Sequence, residues 1–404
     1  MIQEKTMNDR ERFLRIARFE RSGDPYDFHQ WIWTEAIERW RGEGLPRESH
    51  PLRVVSLGQD HTEFLPVLNM IRCARPFFNP PYYVSVVPWY TREVEKDEGE
   101  TEIVRDEDGI LYRVLKSNPS VLPQYLEYPV KDRATWREYK KRLDPHTPGR
   151  WPEGWDRIDL TKTMYDHDPS LNGRPWNERD FPLGMNSLSL MGLARNVMGL
   201  ENYSLALYDD RPLVEEMADH MLYWNLEMAK KIFDRGIHLD FCYLWEDICY
   251  RSGPLFSPKV MREIMVPRWK TFTDFLRGRG VPVILVDCDG NVEEFVRLAL
   301  EGGLNGVLPF EAAAGNDILA VRKKYGKNLI IFGGVDKRAL AAGKSAIDAE
   351  LEEKVRPMLA GSGYFPMLDH YAPPDIPFEN YMYYKIKMKS LRGEEHETNA
   401  LSRA

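Results

Sequence analysis

The chain has no CxxC pair. Its four cysteines, Cys73, Cys242, Cys249 and Cys288, are scattered through 404 residues, which argues against a disulfide scaffold and for a reducing compartment. No apolar run approaches the ~20 residues of a membrane helix. The N-terminal MIQEKTMNDRERF places charges where a secretory leader needs an apolar core, so a cytoplasmic protein is expected. Bases are too dispersed for a nucleic-acid face: the stretch Arg137 to Arg142 is interrupted by Glu138, and the net charge is -8. Neither GxGxxG nor GxxxxGK[ST] occurs, so the glycine-rich phosphate loop that announces an open doubly wound sheet is missing.

What is present suffices for a large core, since 43% of residues are hydrophobic and 12% aromatic, with charges interspersed rather than blocked. Residues 1 to 50 read as a helical segment, with Trp31, Trp33, Ala36, Ile37 and Trp40 at near-helical spacing before Gly42-Glu43-Gly44. A short strand is expected at 52 to 57. Between about 83 and 180 lies an insertion, in which Asp108-Gly109 between Glu102-Ile-Val and Leu111-Tyr-Arg-Val signals a β-hairpin. A helix at 134 to 142 and a long irregular connection follow.

From residue 182 a regular rhythm begins. Apolar runs at 182–186, 239–245, 282–287, 304–309, 329–333 and 363–368 alternate with amphipathic segments such as 210–235 and 258–279, the latter opened by Ser257-Pro258. Parallel neighbours need a crossover that a helix supplies, so the spacing predicts a single (β/α)8 TIM barrel over 51 to 390 and a polar tail from 391 to 404.

In such a barrel the residues that end each strand face the mouth, where substrates bind. Here they are acidic. Glu246-Asp247, Asp287-Cys288-Asp289, Glu311, Asp336 and Asp369-His370 end five consecutive strands. Residues i and i+2 of an extended segment share a side, so Asp287 and Asp289 could hold one divalent metal with His370 arriving from a later strand. Mixed Asp and His ligation suits Zn²⁺, Mn²⁺ or Fe²⁺. The alternative is that these acids cap helices or pair with arginines. Cys288 should face the packing layer. Tyr243, Trp245 and Phe310 are candidate pocket walls, and Asn186 and Asp336 candidate substrate contacts.

The motifs LWEDICYRSGPLFSPKVMREIMVPRWK (244–270), VDCDGN (286–291), FGGVDKRAL (332–340) and GYFPMLDHYAPPDIPFEN (363–380) resemble the uroporphyrinogen decarboxylase superfamily, and within it the cobalamin-dependent methyltransferase branch. The resemblance covers roughly residues 182–390. It implies a zinc site in which Asp287, Asp289 and His370 stand where the family has a His-x-Cys pair and a distant Cys. Carboxylates and imidazole make a harder site than thiolates, which disfavours a thiol acceptor. The segment RFERSGDPYDFHQW (18–31) lacks the arginine-rich motif of the decarboxylases, and an acidic mouth would repel a porphyrinogen's carboxylates.

The resemblance implies an enzyme that demethylates a small methoxylated or methylated compound and passes the methyl group to a separate corrinoid protein. The resemblance implies that the cobalamin sits on that separate partner rather than on this chain. Glu246 or Glu311 is the expected proton donor, and a homodimer is compatible with the family. Two alternatives stand beside it: a decarboxylase or lyase of a small acid held by Arg195 and Lys337, and a non-catalytic ligand-binding homologue.

Overall fold

The computed structural model describes residues 7–20, 26, 32–45, 80–117, 122–159 and 169–391, together with the backbone course of two strands at 51–56 and 59–64. Cys73 and most of 18–31 lie outside the described residues.

The chain enters through a helix at Asp9–Ala17, capped by the Asn8 side chain, and a second at Thr34–Gly42. Strands β1 (Pro51–Ser56) and β2 (Gln59–Phe64) pair antiparallel. An antiparallel sheet follows in the order β3 (Glu93–Asp97), β4 (Thr101–Arg105), β5 (Leu111–Leu115) and β6 (Gln124–Glu127). In its central turn Asp106 accepts from the N–H groups of Asp108 (3.0 Å) and Ile110 (2.8 Å).

The second half builds one parallel sheet. Its strands are β7 (Gly184–Ser187), β8 (Phe241–Trp245), β11 (Val283–Asp287), β12 (Gly306–Leu308), β13 (Ile330–Phe332) and β14 (Tyr364–Phe365), each paired with the next in that order. A small ribbon, β9 (Cys249–Tyr250) with β10 (Gly253–Pro254), follows β8. Among the described residues the sheet has six strands, with an isolated parallel bridge from Ile32 to Ala372 beyond its last edge.

Alternation within these strands sorts the core into two layers. Cys242, Leu244, Ile284, Val286 and Val307 pack outward against helices such as Arg211–Asp234 and Pro258–Gly278. Phe241, Val283, Leu285, Leu308, Phe332 and Phe365 pack inward around Phe13 and Tyr26 from the N-terminal segment. Strands buried on both faces need the near-continuous apolar runs seen here. Both crossover helices begin on side-chain caps, Asp210 to Leu213 N–H and Ser257 to Val260 N–H.

The N-terminal helix is fastened to the sheet by charge. Asp240, just before β8, meets buried Arg179 at 2.6 Å and Arg10 at 2.9 Å and accepts from Leu183 N–H at 3.0 Å. Removing one partner of such a pair strands the other without water. Asp240→Ala is therefore expected to lower the unfolding free energy by roughly 3–5 kcal/mol in urea titrations. A loss below about 1 kcal/mol would mean that the pair holds nothing together.

Candidate active site

The same alternation aims the strand ends. Phe241, Tyr243 and Trp245 share the inward side of β8, as Val283, Leu285 and Asp287 do on β11, so Asp287 faces the enclosed interior. Its neighbour in the next strand is Trp245, directly in register. Asp287 accepts a short hydrogen bond from the Tyr243 phenol. Burial, then the negative charges of Asp289 and Asp247, hold the Asp287 carboxyl well above the usual range.

Glu246 has the other parity, with Cys242 and Leu244, and turns outward. It is fully buried and accepts from the N–H groups of Leu190 (2.9 Å), Met191 (3.1 Å) and Gly192 (3.2 Å), where the helix Gly192–Met198 begins. Burial pushes its carboxyl up to about 7 although those hydrogen bonds pull the other way. A side chain at 192 could not fit, because a Cβ there would lie 2.1 Å from the Glu246 carbonyl oxygen. Glu246 thus joins the β7 and β8 units and does not line the cavity, contrary to the expected proton donor; the outward parity of Cys242 and Leu244 was the signal.

The helix it holds carries Arg195. That guanidinium donates to the Asp247 carbonyl, lies 3.3 Å from the Asp247 carboxylate and sits 5.7 Å from the Trp245 ring centre. Asp247 has φ +43, a left-handed turn that brings its side chain back to the mouth.

Asp289 and His370 meet, with Nε2 3.2 Å from the carboxylate. Burial disfavours the imidazolium, but the hydrogen bond and charge of Asp289, with Glu311, outweigh it and raise the His370 pKa above its ordinary value. Glu311 accepts from Gly290 N–H at 2.8 Å and lies 3.8 Å from Lys337 Nζ. Lys337 also lies 3.4 Å from Asp369, which is buried and accepts from the Ala312 and Lys337 N–H groups.

Of the remaining expected contacts, Asp336 and Phe310 stand elsewhere, while Asn186 lies in register with inward-facing Tyr243. Asp336 caps its own helix and pairs with Arg338 at 2.7 Å. Phe310 is fully buried with φ +58, a core and turn residue. The Asn186 backbone carbonyl accepts from the Tyr82 phenol at 2.6 Å. Cys288 packs in the outer layer. Of the metal trio, Asp289 and His370 come together while Asp287 is turned to Tyr243. Among the described residues no three His, Cys, Asp or Glu side chains are arranged to hold an ion.

Trp245, Asp247, Asp289, Glu311 and Arg195 open into a cavity of 880 Å³ whose far wall is the antiparallel sheet, through Glu102, Asp106, Tyr112 and Tyr125. Tyr128 seats the sheet on the mouth, its ring so close to Gly199 that a Cβ there would lie 2.3 Å away. The alternating Val and Tyr residues of this insertion marked a sheet but not a cavity wall.

A parallel α/β sheet whose strand ends gather acids and an imidazole beside a cavity defines a protein with an enzyme-like mouth. The chain belongs to the uroporphyrinogen decarboxylase (URO-D) family, whose model matches residues 125–385. Its fold is similar to that of a methyltransferase from Methanosarcina mazei, with a TM-score of 0.54 and 13% identity over 95% of this chain and 99% of the other. A likeness to a protein described as the vitamin-B12 independent methionine synthase of Listeria monocytogenes, TM-score 0.31 at 13% identity over 52% of this chain and 64% of that one, is too remote to carry an argument. No curated protein matches the chain. No helix among the described residues is long and apolar enough to cross a membrane.

The Glu246 carboxyl has a pH consequence. Its folded pKa, about 7, lies above the ordinary 4.5, so its contribution to stability is complete below the lower value and is lost as pH rises through the upper one. Between about pH 5 and about pH 8 the wild-type fold should lose on the order of 3 kcal/mol from this group. Denaturant titrations of Glu246→Gln should show a lower starting stability but no such decline; an unchanged slope would contradict the assignment.

Proposed function

We propose that the chain is a methyl-transfer enzyme that takes a methyl group from a small methylated or methoxylated compound, with Asp289 and His370 delivering the proton its leaving heteroatom needs. The sheet, in this reading, is completed to an eight-stranded barrel by N-terminal segments such as that around Ile32. One observation carries the proposal: an imidazole whose pKa is raised by its hydrogen bond to Asp289, a carboxylate that itself lines the 880 Å³ cavity.

In the step, the bond from methyl carbon to heteroatom breaks and its electron pair stays on the heteroatom. His370 gives that atom its proton and becomes neutral imidazole, while Asp289 holds the ring. A corrinoid on a separate protein, the proposed acceptor, would supply the electron pair that captures the methyl group. Trp245 and the tyrosines of the antiparallel sheet exclude water from the exchange.

The step as proposed uses a proton from His370 in place of a divalent metal such as Zn²⁺. The decarboxylase alternative is less well served, because Arg195 and Lys337, its candidate carboxylate partners, already face Asp247, Asp369 and Glu311.

His370→Ala should lower methyl transfer to a reduced corrinoid protein by about 10²–10⁴-fold without loss of fold. The wild-type rate should fall as pH rises through a value above the ordinary 6.5 of histidine, and Asp289→Asn should move that limb to lower pH. A pH profile untouched by Asp289→Asn would remove the proton-donor role. Metal analysis of the same preparation decides the mechanism: one tightly held metal per chain, lost in Asp289→Ala, would replace proton donation with metal catalysis. Ligand binding without turnover would favour the non-catalytic alternative.

A further inference from the structure

The cavity has two unlike walls, and the one supplied by the antiparallel sheet has no part in the proton transfer just described. Its chemistry follows from strand alternation. In β4 and β5, Glu102 stands opposite Val114 and Val104 opposite Tyr112, so these four share one face, with Tyr125 of β6 opposite Tyr112. Val104, Tyr112 and Val114 are buried with Tyr128 in a small core of their own. The residues of opposite parity include the bases of the sheet, which are neutralised on the spot: Arg105 meets Glu95 at 2.7 Å and Arg113 meets Glu98 at 2.8 Å.

The cavity face is sorted the other way. Glu102 and Asp106 line it and neither belongs to an ion pair among the described residues. Arg92, the base nearest this wall, donates to the Tyr112 hydroxyl at 3.1 Å and lies 3.8 Å from Glu107. Across the described lining, five carboxylates (Glu102, Asp106, Asp247, Asp289, Glu311) face three guanidiniums, Arg92, Arg195 and Arg251, and the second is already engaged by Asp247. Beside the two sheet acids the tyrosines form a corner. Tyr112 and Tyr125 stand edge to face with centroids 6.4 Å apart, and Tyr125 and Tyr128 are stacked at 6.1 Å.

Ring faces attract a cation through their quadrupoles, and carboxylates that lack a base add long-range attraction. Both features disfavour an anion. A strongly hydrated metal ion gains nothing from tyrosine rings, whereas an alkylated ammonium, weakly hydrated and greasy, gains from rings and carboxylates together.

We propose that the wall formed by Glu102, Asp106, Tyr112 and Tyr125 binds an alkylammonium group, so that the ligand of this cavity is an organic cation. This deepens the methyl-transfer reading and rests on it for the word substrate: the ammonium end lies on the sheet, the reacting end toward Asp289 and His370.

The test is binding, independent of turnover. Choline, its uncharged isostere in which a tert-butyl group replaces the trimethylammonium, and the anion pivalate are titrated into the full chain by calorimetry at low and high salt. Choline should bind about tenfold or more tightly than the isostere, pivalate should not compete, and salt should narrow the gap. Glu102→Gln combined with Asp106→Asn, which keeps the oxygen that holds the turn, should abolish the preference while the melting temperature stays near wild type. Tyr125→Leu, a change at a half-exposed ring, should weaken choline and spare the isostere. Equal binding of choline and isostere, tighter binding of pivalate, or a preference that survives both variants would overturn the proposal. The methyl-transfer reading fails separately: a choline preference with no methyl transfer under any condition would leave the cation site standing and remove the enzyme.

Discussion

Seven carboxylates end up around the C-terminal edge of one parallel sheet, and finding a donor for each is the constraint under which this mouth is built. Parallel strands aim their ends at a common place, so acids there repel unless each finds a donor. Several find it in the backbone of the adjoining unit: Glu246 in the helix start after β7, Glu311 in Gly290, Asp369 in Ala312 and in the helix start after β13. These bonds cross between successive strand-helix units, so the acids that crowd the mouth also hold its units in order.

Once those acids are satisfied, few remain for chemistry. Asp247 turns to Arg195 and Asp287 to the Tyr243 phenol, leaving Asp289 free to hold His370. Crowding then changes character from packing to reactivity. Asp287 and Asp247 are both held above the usual carboxylate range, first by burial and then by the charge of Asp289, and His370 is held toward its charged form. In such a mouth burial and like charge shift the carboxyls toward their protonated form and the ion pair shifts the imidazole toward its charged one.

The antiparallel sheet completes the enclosure from outside the βα rhythm. Its central strands place bases on one face and acids with tyrosines on the other, so an insertion of ordinary β alternation becomes a wall of defined charge. Tyr128 against Gly199 fixes where that wall stands.

The order of apolar runs and amphipathic segments was enough to read the parallel α/β sheet and its helices: β11 fills 283–287 of the expected 282–287, and the helix after it spans Glu293–Glu301. Local physics suffices there, because a strand buried on both faces and a helix with one apolar stripe each leave a periodic mark. The acidic strand ends were equally legible as residues, and Cys288 went to the packing layer as its parity required. What only the tertiary structure decided is which acid meets which partner. Glu246 turns from the mouth to a helix start, Asp287 takes a phenol two strand positions from the end of β8, and Glu102 finds itself across a cavity from Asp289. Those pairings join residues distant in sequence through the curvature of the sheet and the seating of an insertion, and no local pattern encodes either.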